Sequence, residues 1–130
     1  MITDREEIMQ MIHDFQRANV VIGINEDDLK VFFESSKQVG AFKHEVSASN
    51  SQRIEILCKD IRDELHVFAQ TNKIKDVLLL AFVPAKHDLL MGELINLTDL
   101  GLSNDISFTW GYGTYEGDKL KAVLVLSNKL

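Results

Sequence analysis

The stretch Val77-Leu78-Leu79-Leu80-Ala81-Phe82-Val83 is apolar at every position, with no alternating polar residue. This pattern is typical of a strand that is covered on both faces or lies centrally in its sheet. Pro84 follows directly and is expected to end the strand, because proline has no backbone amide for a sheet ladder. The remaining chain must therefore supply neighbouring strands and the helices that cover them.

Helices and strands alternate before this strand. The hydrophobic periodicity predicts, in order, a helix over about Asp4–Arg17, a strand over Asn19–Ile24, a helix from Asn25 to about Lys37 and a strand over Ala41–Ala48. A further helix follows, whose apolar stripe runs from Ile54 to Ala69 and which is expected to end at Asn72-Lys73. The expected helix-terminal residues are Thr3 with Glu6, Asn25, Gly40, and Ser49 or Ser51. The last helix has the clearest period: Cys58 lies on its apolar stripe, and Arg53 is expected on its exposed, charged face.

The C-terminal part is predicted to hold a helix and a closing hairpin. The helix opens at Asp88-Leu89, capped by Asp88, and ends near Gly101. Its expected inward residues are Leu90 or Met91, Leu94 and Leu97. The hairpin joins Ile106–Tyr112 to Leu120–Ser127, and Gly111 and Gly113 are expected in its loop with positive φ.

This order of elements predicts an α+β fold, with a mixed sheet of four to five strands and helices packed on it. Residues 1–18 are expected to form an N-terminal helix and residues 19–130 an α/β domain. The chain has 130 residues, and 45% of them are hydrophobic, which indicates a single globular domain with a packed core.

Composition also restricts the partners and the compartment. The net charge of −6 disfavours nucleic acid and anionic membrane surfaces as main partners, because both require a basic face. The only cysteine, Cys58, cannot form an intrachain disulfide, which suits a reducing compartment. The sequence has no run of eighteen apolar residues and no recognisable signal peptide, so a cytoplasmic location is expected.

No motif in the sequence identifies a reaction. The glycine-rich phosphate-binding patterns are absent, and one cysteine with four scattered histidines does not make a zinc site. We therefore expect no cofactor, no metal and no catalytic residues. Trp110, Tyr112 and Tyr115 cluster near the predicted hairpin and are candidate contact aromatics, although strand aromatics more often pack across their sheet.

Three segments resemble the C-terminal domain of FtsZ, the bacterial tubulin homologue. They are Ile22-Gly-Ile-Asn-Glu-Asp-Asp-Leu-Lys-Val31, His87-Asp-Leu-Leu-Met-Gly-Glu-Leu94 and Asp118-Lys-Leu-Lys-Ala-Val-Leu-Val-Leu-Ser127. The likeness covers about Val20 to Asn128 and depends on the joint order and spacing of these segments. It implies the two-layer sandwich of the FtsZ/tubulin C-terminal domain, without the GTPase domain, whose glycine-rich signature is missing from all 130 residues.

The resemblance also implies a candidate interaction loop at Gly23, Asn25 and Asp28. In that family, Asn and Asp residues of the corresponding loop enter the neighbouring subunit's nucleotide pocket and position the attacking water. Here Asp28 matches the second acidic residue, whereas Gly23 replaces an Asn and Asn25 replaces the first Asp. GTP hydrolysis by this chain alone is therefore not expected.

Three functions follow from these observations. The first is a non-catalytic protein-interaction or self-assembly module that contacts a second copy of itself, as a homo-oligomer. The second is a small-molecule-binding protein or enzyme of chorismate-mutase-like architecture, whose sites hold carboxylates with arginines; only Arg5, Arg17, Arg53 and Arg62 are present. The third is a modulator of a tubulin-like polymerising GTPase.

Overall fold

The fold is taken from a computed structural model that describes residues 1–25, 27–29 and 38–128. Its helices are α1 (Arg5–Arg17), α2 (Arg53–Ala69) and α3 (Met91–Thr98), with a 3-10 turn at Ala85–His87. Its strands are β1 (Asn19–Ile22), β2 (Gln38–Ser47), β3 (Ile74–Pro84), β4 (Ser107–Tyr115) and β5 (Lys119–Asn128). Residues 27–29 are helical, and the rest of the helix predicted up to Lys37 lies outside the described residues.

The five strands form one sheet in the order β1-β4-β3-β5-β2, with β3 at its centre. β3 pairs parallel with β4 and antiparallel with β5. Leu78, Leu79 and Leu80 are at most 1% exposed, because helices cover both faces of the sheet at this strand. The prediction of a central buried strand ending at Pro84 is confirmed.

The predicted hairpin is wrong, because β3 lies between β4 and β5. Residues 116–118 cross the end of β3 to connect them. A step over one strand is about 10 Å, and the four residue steps from Tyr115 to Lys119 can span about 13 Å. An apolar pattern identifies each strand but does not say which strands are neighbours.

Two apolar clusters cover the two faces of the sheet. α2 and α3 pack on one face, around Leu57, Ile61 and Leu97. α1 packs on the other through Ile8, Met11, Ile12 and Phe15, the same stripe that the sequence predicts. The fold is α+β with a mixed sheet, as predicted; within residues 38–128 the helices lie on one face only, and α1 covers the second face.

Several predicted helix ends differ from the structure. Asp4, and not Thr3, caps α1 by accepting a hydrogen bond from the amide of Glu6 at 2.9 Å. Asn50 Oδ1 accepts from the amide of Gln52 at 2.8 Å, and neither Ser49 nor Ser51 caps α2. A carboxylate suits the positive end of a helix better than a hydroxyl does, which explains the choice of Asp4.

The predicted glycine roles need a similar correction. Gly40 does not end a helix but lies inside β2, and Gly101, with φ of 66°, lies two residues beyond the cap residue Asp99 of α3. Gly111 and Gly113 are inside β4 and have no positive φ. A Cβ at Gly111 would lie 2.7 Å from the carbonyl oxygen of Ile22, so the close approach of β1 requires the glycine.

Candidate functional site

Arg53, in the first turn of α2, fixes the segment that leads into α3. Its guanidinium donates two hydrogen bonds to the carboxylate of Glu93, both at 2.8 Å. It also donates to the carbonyl oxygens of Ala48, His87 and Asp88, at 3.1, 2.7 and 3.0 Å. Arg53 is only 6% exposed, so the prediction that it lies on the exposed face of α2 is wrong.

Glu93 links this arginine to the start of α3. Its Oε1 also accepts a hydrogen bond from the amide of Leu90 at 3.0 Å, which satisfies a backbone donor at the helix N-terminus. The hydrogen bonds from Arg53 hold the pKa of Glu93 below its usual value, although burial opposes the shift. The carboxylate of Asp88, the predicted cap, accepts from the amide of Leu89 at 2.7 Å, but α3 begins only at Met91, so Asp88 is not its cap residue.

The pair makes the stability of the fold depend on pH. Since the folded-state pKa of Glu93 is lowered, its contribution is present above the unfolded-state pKa and is lost as pH falls through the folded value. We expect Glu93→Gln to lower the free energy of unfolding by about 2 kcal/mol at pH 7 and by clearly less at pH 3.5. Urea unfolding at both pH values measures this difference. Glu116→Gln, at an exposed turn position, is the control; an equal loss for Glu93→Gln at both pH values would contradict the prediction.

The outer face of α3 is apolar and exposed. Leu90, Met91 and Ile95 are 70%, 74% and 60% exposed. The prediction that Leu90 or Met91 points inward is wrong, whereas Leu97 is buried at 2% and Leu94 packs partly against the core. Large apolar side chains that form a continuous exposed patch are typical of interaction sites.

We call Leu90, Met91, Gly92, Ile95 and Asn96 the α3 patch. All five are exposed, and none is charged, although 26% of the chain consists of charged residues. A Cβ at Gly92 would meet no atom within 4 Å, so this glycine is not needed for packing inside the molecule. Glycine on a helix surface lets another backbone approach closely.

The sequence contained a signal for this patch. Residues 89–97 hold six large apolar residues, which is more than one face of a short helix can bury. The sequence prediction places Leu90 or Met91 inward because it begins the helix at Asp88, about one turn too early. Because the helix begins at Met91, Leu90 lies before it in extended backbone, and Leu90, Met91 and Ile95 are all exposed.

The fold is similar to that of part of two solved FtsZ structures. An empty FtsZ dimer from M. jannaschii superposes with a TM-score of 0.61 and 15% identity, covering 85% of this chain and 32% of that chain. The FtsZ W319Y mutant of M. jannaschii gives a TM-score of 0.52 and 12% identity, covering 83% of this chain and 33% of that chain. No protein-family model matches the sequence, and no curated protein matches it.

This chain has the FtsZ C-terminal-domain-like fold. It spans about a third of the length of the FtsZ chains that it matches. The likeness predicted from three short segments is therefore confirmed for the fold.

The interaction loop that the sequence resemblance to FtsZ implies is exposed at Gly23, Asn25 and Asp28. Asn25 Oδ1 accepts from the amide of Asp27 at 2.9 Å, and its carbonyl oxygen accepts from the amide of Asp28 at 3.1 Å. Asn25 is thus the N-cap that the sequence indicates. The contact role of the loop stays a prediction.

The candidate contact aromatics do not form a single surface in the FtsZ-like sheet. Trp110 and Tyr112 lie on the α2 face, where Tyr112 is 8% exposed and burial raises its pKa. Tyr115 lies on the opposite face, and its hydroxyl donates to the carbonyl oxygen of Lys119. Two of the three are thus engaged with the core, and the contact role of all three stays a prediction.

Other reactive groups are few in the described structure. Cys58 is buried as predicted, and burial raises the pKa of its thiol, which opposes nucleophilic use. Within residues 1–25, 27–29 and 38–128, no three His, Cys, Asp or Glu side chains are placed to hold a metal ion. Among the helices that the structure describes, none has the length and apolar character that a membrane span requires.

Proposed function

We propose that this chain is a non-catalytic interaction module that associates with a second copy of itself through the α3 patch. The observation that supports the proposal is the exposed, uncharged apolar face of a helix whose position Arg53 fixes. The strongest polar side-chain cluster near this surface, Arg53 with Glu93, is engaged in structural hydrogen bonds.

The absence of charge on the α3 patch makes it the face through which a second copy can approach. Two copies of a chain with a net charge of −6 repel each other, and an uncharged face is where they can approach with the least opposition. A two-fold axis through the patch would place Met91 and Ile95 of one copy against the same residues of the other. Gly92 would allow the two α3 helices to pack closely.

The small size of the α3 patch limits the expected affinity of the dimer. α3 has eight residues and is therefore about 12 Å long. A standard interface covers about 800 Å² on each partner, so contact through α3 alone is small. We expect a weak dimer, with a dissociation constant of about 10 µM or higher. One of the similar solved structures is described as an FtsZ dimer, which is consistent with association but concerns that protein.

Analytical ultracentrifugation over a concentration series tests the proposal. The wild-type chain should show a reversible monomer–dimer equilibrium. Ile95→Glu places two carboxylates against each other at the two-fold axis and should weaken the dimer by more than about tenfold. Its thermal stability should stay close to that of the wild type, because Ile95 is 60% exposed.

Val67→Glu is a matched control. Val67 is also 60% exposed, but it lies near the C-terminal end of α2, outside the α3 patch. This variant should dimerise like the wild type. A wild-type monomer at high concentration, or equal weakening by both variants, would refute association through α3.

Contact with a tubulin-like GTPase through Gly23, Asn25 and Asp28 stays a prediction. The proposal also places the chain in a reducing, cytoplasmic compartment, where the buried thiol of Cys58 stays reduced.

A further inference from the structure

A cleft of about 810 Å³ opens between the C-terminal end of α1 and the sheet, where it is lined by residues 43–45 of β2, 82 of β3, 115 of β4 and 121–123 of β5. It lies on the α1 face of the sheet, opposite the face that carries α3. Its volume falls within the range of about 300–1,000 Å³ that small-molecule sites occupy. The cleft is therefore large enough for a ligand of one or two fused rings.

Three cations from three different elements line this cleft: Arg17 of α1, Lys43 of β2 and Lys121 of β5. In the part of the chain that the structure describes, no carboxylate lies within ion-pair distance of any of them. All three are exposed, so an incoming anion can reach them. In a chain of net charge −6, this grouping is a local reversal of sign.

The two carboxylates that line the cleft have partners of their own. Asp14 accepts a hydrogen bond from the side-chain amide of Gln10 at 3.0 Å. Glu45 forms an ion pair with Lys119 at 3.2 Å. Asp14 keeps its negative charge, because the amide of Gln10 is neutral, but three cations against two carboxylates still leave the lining with one positive charge in excess.

Aromatic and apolar side chains line the same cleft, namely Met11, Phe82 and Tyr115. The ring of Phe82 meets Phe15 edge to face at 5.6 Å, which holds its orientation. Lys121 Nζ lies 5.3 Å from the centre of the Tyr115 ring, so a cation is already placed beside an aromatic surface. A ligand that is both planar and anionic would use both kinds of contact.

We propose that this cleft binds a small anionic ligand with a planar aromatic body. The carboxylate or phosphate of the ligand contacts Arg17, Lys43 and Lys121, and its ring lies against Phe82 and Tyr115. The proposal is independent of self-association, because the α3 patch is on the other side of the sheet. Ile95→Glu should therefore bind the ligand like the wild type, so the two proposals can fail separately.

Titration of the intact chain with naphthalene-2-carboxylate, followed by calorimetry and by amide NMR shifts, tests this proposal. The neutral isostere naphthalen-2-ylmethanol should bind about tenfold more weakly, because it cannot pair with the cations. Shifts should concentrate at residues 43–45, 82, 115 and 121. A parallel titration with 2-naphthyl phosphate shows whether the cleft prefers a carboxylate or a phosphate. Binding of either anion that is tighter than binding of the neutral isostere supports an anion site.

The variant Lys43→Gln with Lys121→Gln removes two charges from exposed positions and should fold normally. It should weaken naphthalene-2-carboxylate about tenfold and leave the neutral isostere unchanged. Lys75→Gln, on an exposed residue at the start of β3, should change neither affinity. The proposal would be overturned if the anionic and neutral ligands bound with equal affinity, or if Lys75→Gln weakened binding as much as the double variant. NMR shifts confined to α3 would also overturn it.

Discussion

Arg53→Ala is expected to lower the free energy of unfolding by about 3–5 kcal/mol, because it leaves a partly buried carboxylate and three carbonyl oxygens without their donor. The side chain of Glu93 is 20% exposed, so water replaces the lost hydrogen bonds only in part. The contacts of Arg53 join α2, the 3-10 turn and α3. Urea unfolding at pH 7 measures the loss.

The same change should weaken self-association. Arg53 does not belong to the α3 patch, but it fixes the carboxylate that caps the first turn of α3. Arg53→Lys keeps the charge and loses the two-pronged contact, so it should give an intermediate loss of stability. Ultracentrifugation of Arg53→Lys below its unfolding temperature separates the effect on association from unfolding.

Arg62→Ala is the matched control on the same helix. Arg62 makes one hydrogen bond, to the carbonyl oxygen of Asp99 at 3.0 Å, at an exposed site. Its loss should cost less than about 1 kcal/mol. Similar losses for the two arginines would show that the buried network does not stabilise the fold as we argue.

Arg53 also shows where sequence reasoning about the candidate site fails. Its place in the periodicity of α2 gives it a charged, outward position, and its partner Glu93 lies 40 residues further on. No local pattern connects the two. The periodicity also does not predict that Leu90 and Met91 are exposed, since the first turn of α3 depends on the hydrogen bond from the amide of Leu90 to Glu93.

The helices and strands are easier to predict from the sequence than the candidate site, because burial of one face of an element produces a periodic pattern of apolar residues. The stripe of α1 and the all-apolar run of β3 appear in the structure where the sequence indicates them. The neighbours of each strand produce no such pattern, so the sequence predicts that β4 and β5 pair with each other, whereas in the structure both pair with β3. The sequence predicts Gly111 in a loop, because the contact that requires a glycine there, the close approach of β1, is distant in sequence.

Leu79→Ala should lower the free energy of unfolding by about 3–4 kcal/mol. Leu79 is 1% exposed on the central strand, and its register partners are Trp110 on β4 and Leu124 on β5. These neighbours are held by backbone pairing on both sides, so they cannot move in to fill the space. Part of the cavity therefore stays open, and its cost adds to the lost burial of the side chain.

Two control variants, measured by thermal and urea unfolding, show whether the loss of stability in Leu79→Ala comes from the lost side-chain volume or from any substitution in a strand. Leu79→Met keeps the volume and should cost less than about 1.5 kcal/mol. Val21→Ala, at a residue 54% exposed on the edge strand β1, should cost less than about 0.5 kcal/mol. If Leu79→Ala cost no more than Val21→Ala, β3 would not be the packed centre of this sheet.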